Sequence, residues 1–185
     1  MDKTCCFIGH NRIKANFILK NSLKAFIEDL IVNKNITTFI FDGEGEFNYL
    51  CHEIVYELKQ KYTYLTRVVY CCKYECAYLE NEITEFKKDF LKYFNYDITK
   101  LGCEERFKEK TWTYGMAGSI RRNRAMIDNS NYCVFYYDKN YVPAKRLKIE
   151  ECMPKDSTKQ SISYAKKSKK PYCKLAEYIL VFADI

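Results

Sequence analysis

Six consecutive residues, Gly43-Glu44-Gly45-Glu46-Phe47-Asn48, put two glycines, two carboxylates and an amide into one short stretch. Gly43 and Gly45 can take backbone angles closed to other residues, which lets a guest approach the main chain closely. A helix starting there would aim free N–H groups and its positive dipole end into the turn, which suits a phosphate or another anion. Glu44 and Glu46 oppose a phosphate by charge. Two readings of them stand: they accept ribose hydroxyls or a base amine, or they sit near a helix N-terminus because the dipole favours acids there. The same two carboxylates are the candidates for general acid/base or nucleophilic work on an N-glycosidic bond.

Three other places carry compatible chemistry. Gly9, His10 and Arg12 follow an apolar run; Arg12 suits a phosphate fork, and His10 is either a pocket residue or a hydrogen-bonded core residue. In the run Ile120-Arg121-Arg122-Asn123-Arg124, helical spacing puts 121 and 124 on one face and 122 with Met126 on another. Arg122 and Asn123 are therefore assigned to the site, and Arg124 to the surface or an interface. Ser157 and Thr158 cap a helix and offer a second anion contact. His52 falls inside a helix and is assigned to packing or solvent.

The elements that must position these groups are legible from periodicity. Residues 3–8 (KTCCFI) read as a strand, and Phe17, Leu19, Leu23, Phe26, Ile27, Leu30 and Ile31 mark an amphipathic helix closed by Asn33-Lys34-Asn35. Residues 37–41 (TTFIF) form a second strand; Leu50, Ile54, Val55 and Leu58 give the helix after the glycine turn. Residues 66–72 are a third strand, 132–137 a fourth and 171–175 a fifth, with helices over 120–128 and 157–167 and a loop over 112–119. Residues 178–182 (YILVF) are a sixth strand or an apolar tail that packs on a neighbour, and a homo-oligomer, a dimer, is among the expected partners. The β-α-β-α-β opening predicts an α/β Rossmann-like three-layer sandwich with a mainly parallel sheet of five or six strands. One domain over 1–185 is expected, with 76–110 an insertion, lid or interface and 139–155 a surface excursion.

Composition narrows the classes. No apolar run approaches a membrane span, and the N-terminus lacks the layout of a secretion signal, so a cytoplasmic protein without membrane partners is expected. Ten cysteines include no CxxC pair, and only two histidines are present, so neither metal nor another cofactor is expected and the cysteines read as reduced, buried small hydrophobes. The formal charge of +7 suits a phosphate-bearing partner, and 17 tyrosines could stack bases. Most tyrosines lie in apolar runs, where core packing explains them better than nucleic-acid binding.

Taken in order, strand-GH-x-R, strand-G-x-G-x-F-N-helix, the basic R-N-R-x-M-I-D helix before a strand, and S-T-K opening a helix that ends YAKKxKKP resemble the SLOG superfamily. That group of Rossmann-like proteins includes the Lonely Guy nucleotide hydrolases and the DNA-processing protein of the Smf type. The resemblance is to the small YpsA-like branch and covers residues 3–175 apart from 76–110 and 139–155. It implies a pocket at the C-terminal ends of the strands that binds nucleotides, nucleotide-derived signals or single-stranded DNA. The hydrolase motif PGGxGTxxE, laid over the turn, sets Asp42, Gly43 and Gly45 against its glycines, Glu46 against its Thr and Tyr49 against its catalytic Glu. Its RKxxM motif falls on Arg122, Asn123 and Met126. The arginine is kept and the carboxylate is not, which argues against phosphoribohydrolase chemistry of that kind. The first expectation is therefore a sensor or sequestering module for a nucleotide-derived small molecule; N-glycosidic-bond hydrolysis or transfer is second, and single-stranded DNA binding third.

Overall fold

Alternation along the first strand already dictates two buried layers. In β1 (Lys3–Gly9), Cys5 and Phe7 point to one side of the sheet and Cys6 and Ile8 to the other, and all four are buried. The same holds in β2 (Ile36–Asp42), where Phe39 and Phe41 face one layer and Ile40 the opposite one. A strand apolar on both faces needs cover on both, and the chain supplies it. The computed structural model describes residues 3–11, 13, 16–42, 45–71, 105–108, 116–140 and 157–175.

Six strands form one sheet in the order β4-β3-β2-β1-β5-β6, with every neighbouring pair parallel. The remaining strands are β3 (Thr66–Cys71), β4 (Glu105–Lys108), β5 (Tyr132–Tyr136) and β6 (Tyr172–Lys174). Helices α1 (Phe17–Lys34) and α2 (Glu46–Lys59) cover one face, packing Leu23, Ile27, Leu50 and Ile54 over Phe7, Phe39 and Phe41. Helices α3 (Met116–Asp128) and α4 (Ser157–Lys167) cover the other, with Met126, Ile127 and Ala165 against Cys6, Ile8, Ile40 and Phe135. The fold is thus the α/β Rossmann-like sandwich expected from the sequence.

The order in which the strands are added explains the layering. The chain runs β1, β2, β3, β4 toward one edge, with α1 and α2 on one face. It then returns to the other side of β1 and runs β5, β6 with its helices on the opposite face. The strand order therefore reverses between β1 and β5, and loops leave that point in opposite directions.

Local signals set the ends of α1. Asn16 caps it, its side-chain oxygen accepting the Leu19 N–H at 2.8 Å, and Asn35 ends it in the left-handed region with φ 57°. Along the α1–α2 seam Lys20 meets Glu53 and Glu57 at 3.2 and 3.3 Å, and Lys24 meets Glu57 at 2.8 Å.

Two sequence-based boundaries need correction. The segment 112–119 was expected to be a loop, yet α3 begins at Met116; Met and Ala are good helix formers, and Gly118 is buried on the helix's inner face. Among the described residues the sheet also contains β4, inside the stretch expected to be an insertion. Its sequence, ERFK, has one apolar residue in four and so lacks a strand signature. The expectations for the YILVF stretch, for most of 76–110 and for 141–155 lie outside the described residues.

Candidate functional site

The C-terminal rim of the sheet gathers polar groups from four segments. At the end of β2, Asp42 is 9% exposed and its carboxylate meets the Arg122 guanidinium of α3 at 3.4 Å, with both side chains buried. The Asp42 backbone N–H donates to Asn48 Oδ1 at 3.1 Å, which ties the strand end to the first turn of α2. One residue thus joins β2, α2 and α3.

The β1–α1 loop and the start of α2 hold each other reciprocally. Glu46 N–H donates to the Asn11 carbonyl at 2.9 Å, and Ile13 N–H donates to Glu46 Oε2 at 2.7 Å. Gly45, the residue before α2, has φ 94°, and a Cβ there would stand 3.1 Å from Asn11 Oδ1 and 3.2 Å from Asn11 Cα. Glycine is therefore demanded twice, by conformation and by the close approach of the neighbouring loop. The N–H groups of Phe47 and Asn48 belong to the first turn of α2 and have no acceptor within the helix.

On the other side of the strand-order reversal, His10 follows β1 and is 4% exposed. The Asp138 backbone N–H donates to His10 Nε2 at 2.9 Å, so the ring's proton sits on Nδ1 in this arrangement. This bond closes the gap between the ends of β1 and β5. Burial, helped by the Asp138 carboxylate, pushes the Tyr136 phenol up, so it stays neutral at physiological pH.

A second polar group lies between α3 and α4. Ser161 Oγ donates to the Ser157 carbonyl at 2.8 Å, so it must accept from Asn123 Nδ2 at 3.3 Å. That fixes the amide's orientation and leaves Asn123 Oδ1 buried with no donor among the described residues. Thr158, one turn before Ser161, is 1% exposed.

Of the residues singled out from sequence, Gly9, His10, Gly45, Glu46, Phe47, Asn48 and Arg122 come together at this rim, and Asn123, Ser157 and Thr158 lie along the adjoining α3–α4 contact. Arg12, Gly43 and Glu44 fall outside the described residues. The environments of three sharpen their roles. Phe47 is a core ring, fully buried and stacked on Tyr136 at 5.4 Å. Gly9 is small because a Cβ there would come 2.3 Å from the Phe47 ring. Glu46 spends one carboxylate oxygen on a backbone N–H of a neighbouring loop. Elsewhere, Arg121 and Arg124 are exposed while Arg122 and Met126 are buried, as helical spacing required, and Arg124 lies over the Tyr164 ring at 5.1 Å. His52 is a packing residue, its ring 4.5 Å from that of Phe41.

Sequence reasoning missed Asp42 and Asp138. The available signal was the same for both: an acid directly after a buried strand, where open parallel sheets present their ligating side chains. Asp42, Glu46 and Asp138 against Arg122 make the described rim richer in acceptors than in cations. Among the described residues no group of His, Cys, Asp and Glu could hold a metal ion, and no helix is long and apolar enough to cross a membrane.

No protein-family model matches this chain, and no curated protein matches it.

Proposed function

We propose that this protein binds a nucleotide-derived small molecule at the C-terminal rim of its sheet and acts as a sensor or sequestering module. The observation that carries the reading is the reversal of strand order between β1 and β5, with loops from β1, β2 and β5 converging beside it. Open parallel α/β sheets take their ligands at such a point. The first-turn N–H groups of α2 suit an anionic group, and the surrounding carboxylates suit the hydroxyl and amine donors of a sugar or base. The resemblance to the SLOG superfamily points the same way.

Binding without turnover fits better than N-glycosidic-bond cleavage. Glu46, the described candidate for acid/base work, is held by a backbone N–H in a loop-to-loop clasp. Native mass spectrometry of the protein freshly isolated from cells tests the reading, together with thermal-shift measurements against nucleoside monophosphates and ADP-ribose. A co-purified phosphorylated nucleoside, or stabilisation by one of these compounds with no free base released, is expected. An empty protein that none of them stabilises overturns the proposal.

A further inference from the structure

Among the described residues, the large apolar side chains left exposed are Phe17, Ile18 and Val32 of α1 and Tyr64 of the α2–β3 connection, between 54% and 78% exposed. Scattered singly such residues mean little, but a cluster on one face marks a place where something docks. The face also has an internal order. Ile18, Ala25 and Val32 are seven residues apart, so they form a nearly straight stripe about 21 Å long on the exposed side of α1. Asn21 and Asp29, both exposed, stand four residues to either side of Ala25. The stripe is therefore symmetric about Ala25: the smallest side chain at the centre, an amide and a carboxylate next, and a β-branched residue at each end. Neighbouring charges are drawn off toward α2 and its following turn. Lys20 and Lys24 meet Glu53 and Glu57, and Glu28 accepts from Lys61 and from Tyr62, each at 2.8 Å.

We propose that this face is a self-association surface: α1 of one copy packs antiparallel on α1 of a second copy, across a two-fold axis at Ala25. A two-fold interface has to be self-complementary, and this one is. Ile18 of each copy meets Val32 of the other, and the Asn21 amide donates to the other copy's Asp29 carboxylate. Alanine at the crossing lets the backbones approach, and a seven-residue repeat suits a shallow crossing of about 20°. The flank matches as well. The Tyr64 ring lies 6.2 Å from that of Tyr62, whose hydroxyl reaches Glu28 in the C-terminal half of α1. Phe17 shares the α2-facing edge of α1 with Lys24. The two-fold keeps that edge on one side, so Phe17 of one copy comes over Tyr64 of the other. One symmetry operation thus covers all four exposed side chains. An anionic membrane would ask for lysines along the stripe, where this chain has Asp29. The association requires nothing of the rim or its ligand.

One helix face with aromatic flanks falls at the lower end of stable interfaces, about 1,200 Å² in total, so a dimer that dissociates in the micromolar range is expected. Sedimentation equilibrium of the full chain from about 1 to 200 µM should show the passage from monomer to dimer. Ala25→Lys sets two like charges against each other at the axis and should weaken the dimer about tenfold or more. The position is exposed, so the monomer should fold unchanged, which circular dichroism and the melting midpoint check. Ile18→Lys and Val32→Glu should each weaken the dimer too. Combined in one chain they should restore it by about tenfold over either alone, because the new cation of one copy faces the new anion of the other. Within one helix those positions are about 21 Å apart and cannot pair. A chain that stays monomeric throughout, a dimer that Ala25→Lys leaves intact, or a double variant no tighter than the single ones overturns the proposal.

Discussion

Replacing Glu46 separates a structural clasp from a catalytic acid. Glu46 is 6% exposed and its Oε2 accepts the Ile13 N–H at 2.7 Å. Glu46→Ala removes a charge-assisted hydrogen bond and leaves a backbone donor without its acceptor, at a cost of about 2 kcal/mol. Glu46→Gln keeps an amide oxygen in place of the carboxylate and gives up only the charge assistance, about 1 kcal/mol. For a chain of this size each kcal/mol moves the melting midpoint by about 2–4 °C. Alanine should therefore lower Tm by about 4–8 °C and glutamine by about half as much. Differential scanning calorimetry of the three proteins at one pH gives the ordering directly. An alanine variant that melts with the wild type refutes the clasp, as does a glutamine variant that falls as far as alanine.

Further outcomes follow from other parts of the molecule. Gly9→Ala should lose about 1–3 kcal/mol in a urea melt, because the added methyl has to displace the buried Phe47 ring. Burial pushes the thiols of Cys5, Cys6 and Cys51 well above the usual range, so they should resist alkylation in the native protein and react on unfolding; rapid native labelling of all three contradicts the core placement. Burial also raises the Glu57 carboxyl, but the Lys24 and Lys20 ammonium groups outweigh it and hold Glu57 below its ordinary 4.5. A carboxyl lowered on folding stabilises above its unfolded pKa and loses that contribution as pH falls through the folded one. Glu57→Gln should therefore flatten the loss of stability below about pH 4.5, by less than about 1 kcal/mol since the pair is partly exposed; urea midpoints on either side of that pH check it.

The pattern of apolar residues was enough to place five strands and four helices, because doubly buried strands and one-faced helices write themselves into spacing. The face of α3 was legible for the same reason: Arg122 and Met126 share a buried side while Arg121 and Arg124 do not. Strand β4 was not, since its main-chain pairing with β3 at the sheet edge asks little of its side chains. The site was half legible. Glycines at 9 and 45 mark places where something comes close, but the sequence could not tell a ligand from the protein itself. For Gly9 the close neighbour is the Phe47 ring, and for Gly45 it is Asn11, through its side-chain oxygen and its Cα. The groups that matter most, Asp42 with Arg122 and His10 with Asp138, meet across 80 and 128 residues of chain, a distance no local pattern spans.

The most direct measurement is a titration of the uniformly 15N-labelled protein with AMP, followed by backbone amide shifts. The account expects the largest changes at Gly45, Phe47 and Asn48 in the α2 first turn, with Asp42 and Asp138 moving in the same concentration range. Changes confined to the outer faces of α1 and α2, or spread evenly over the fold while the α2 first turn stays still, contradict it.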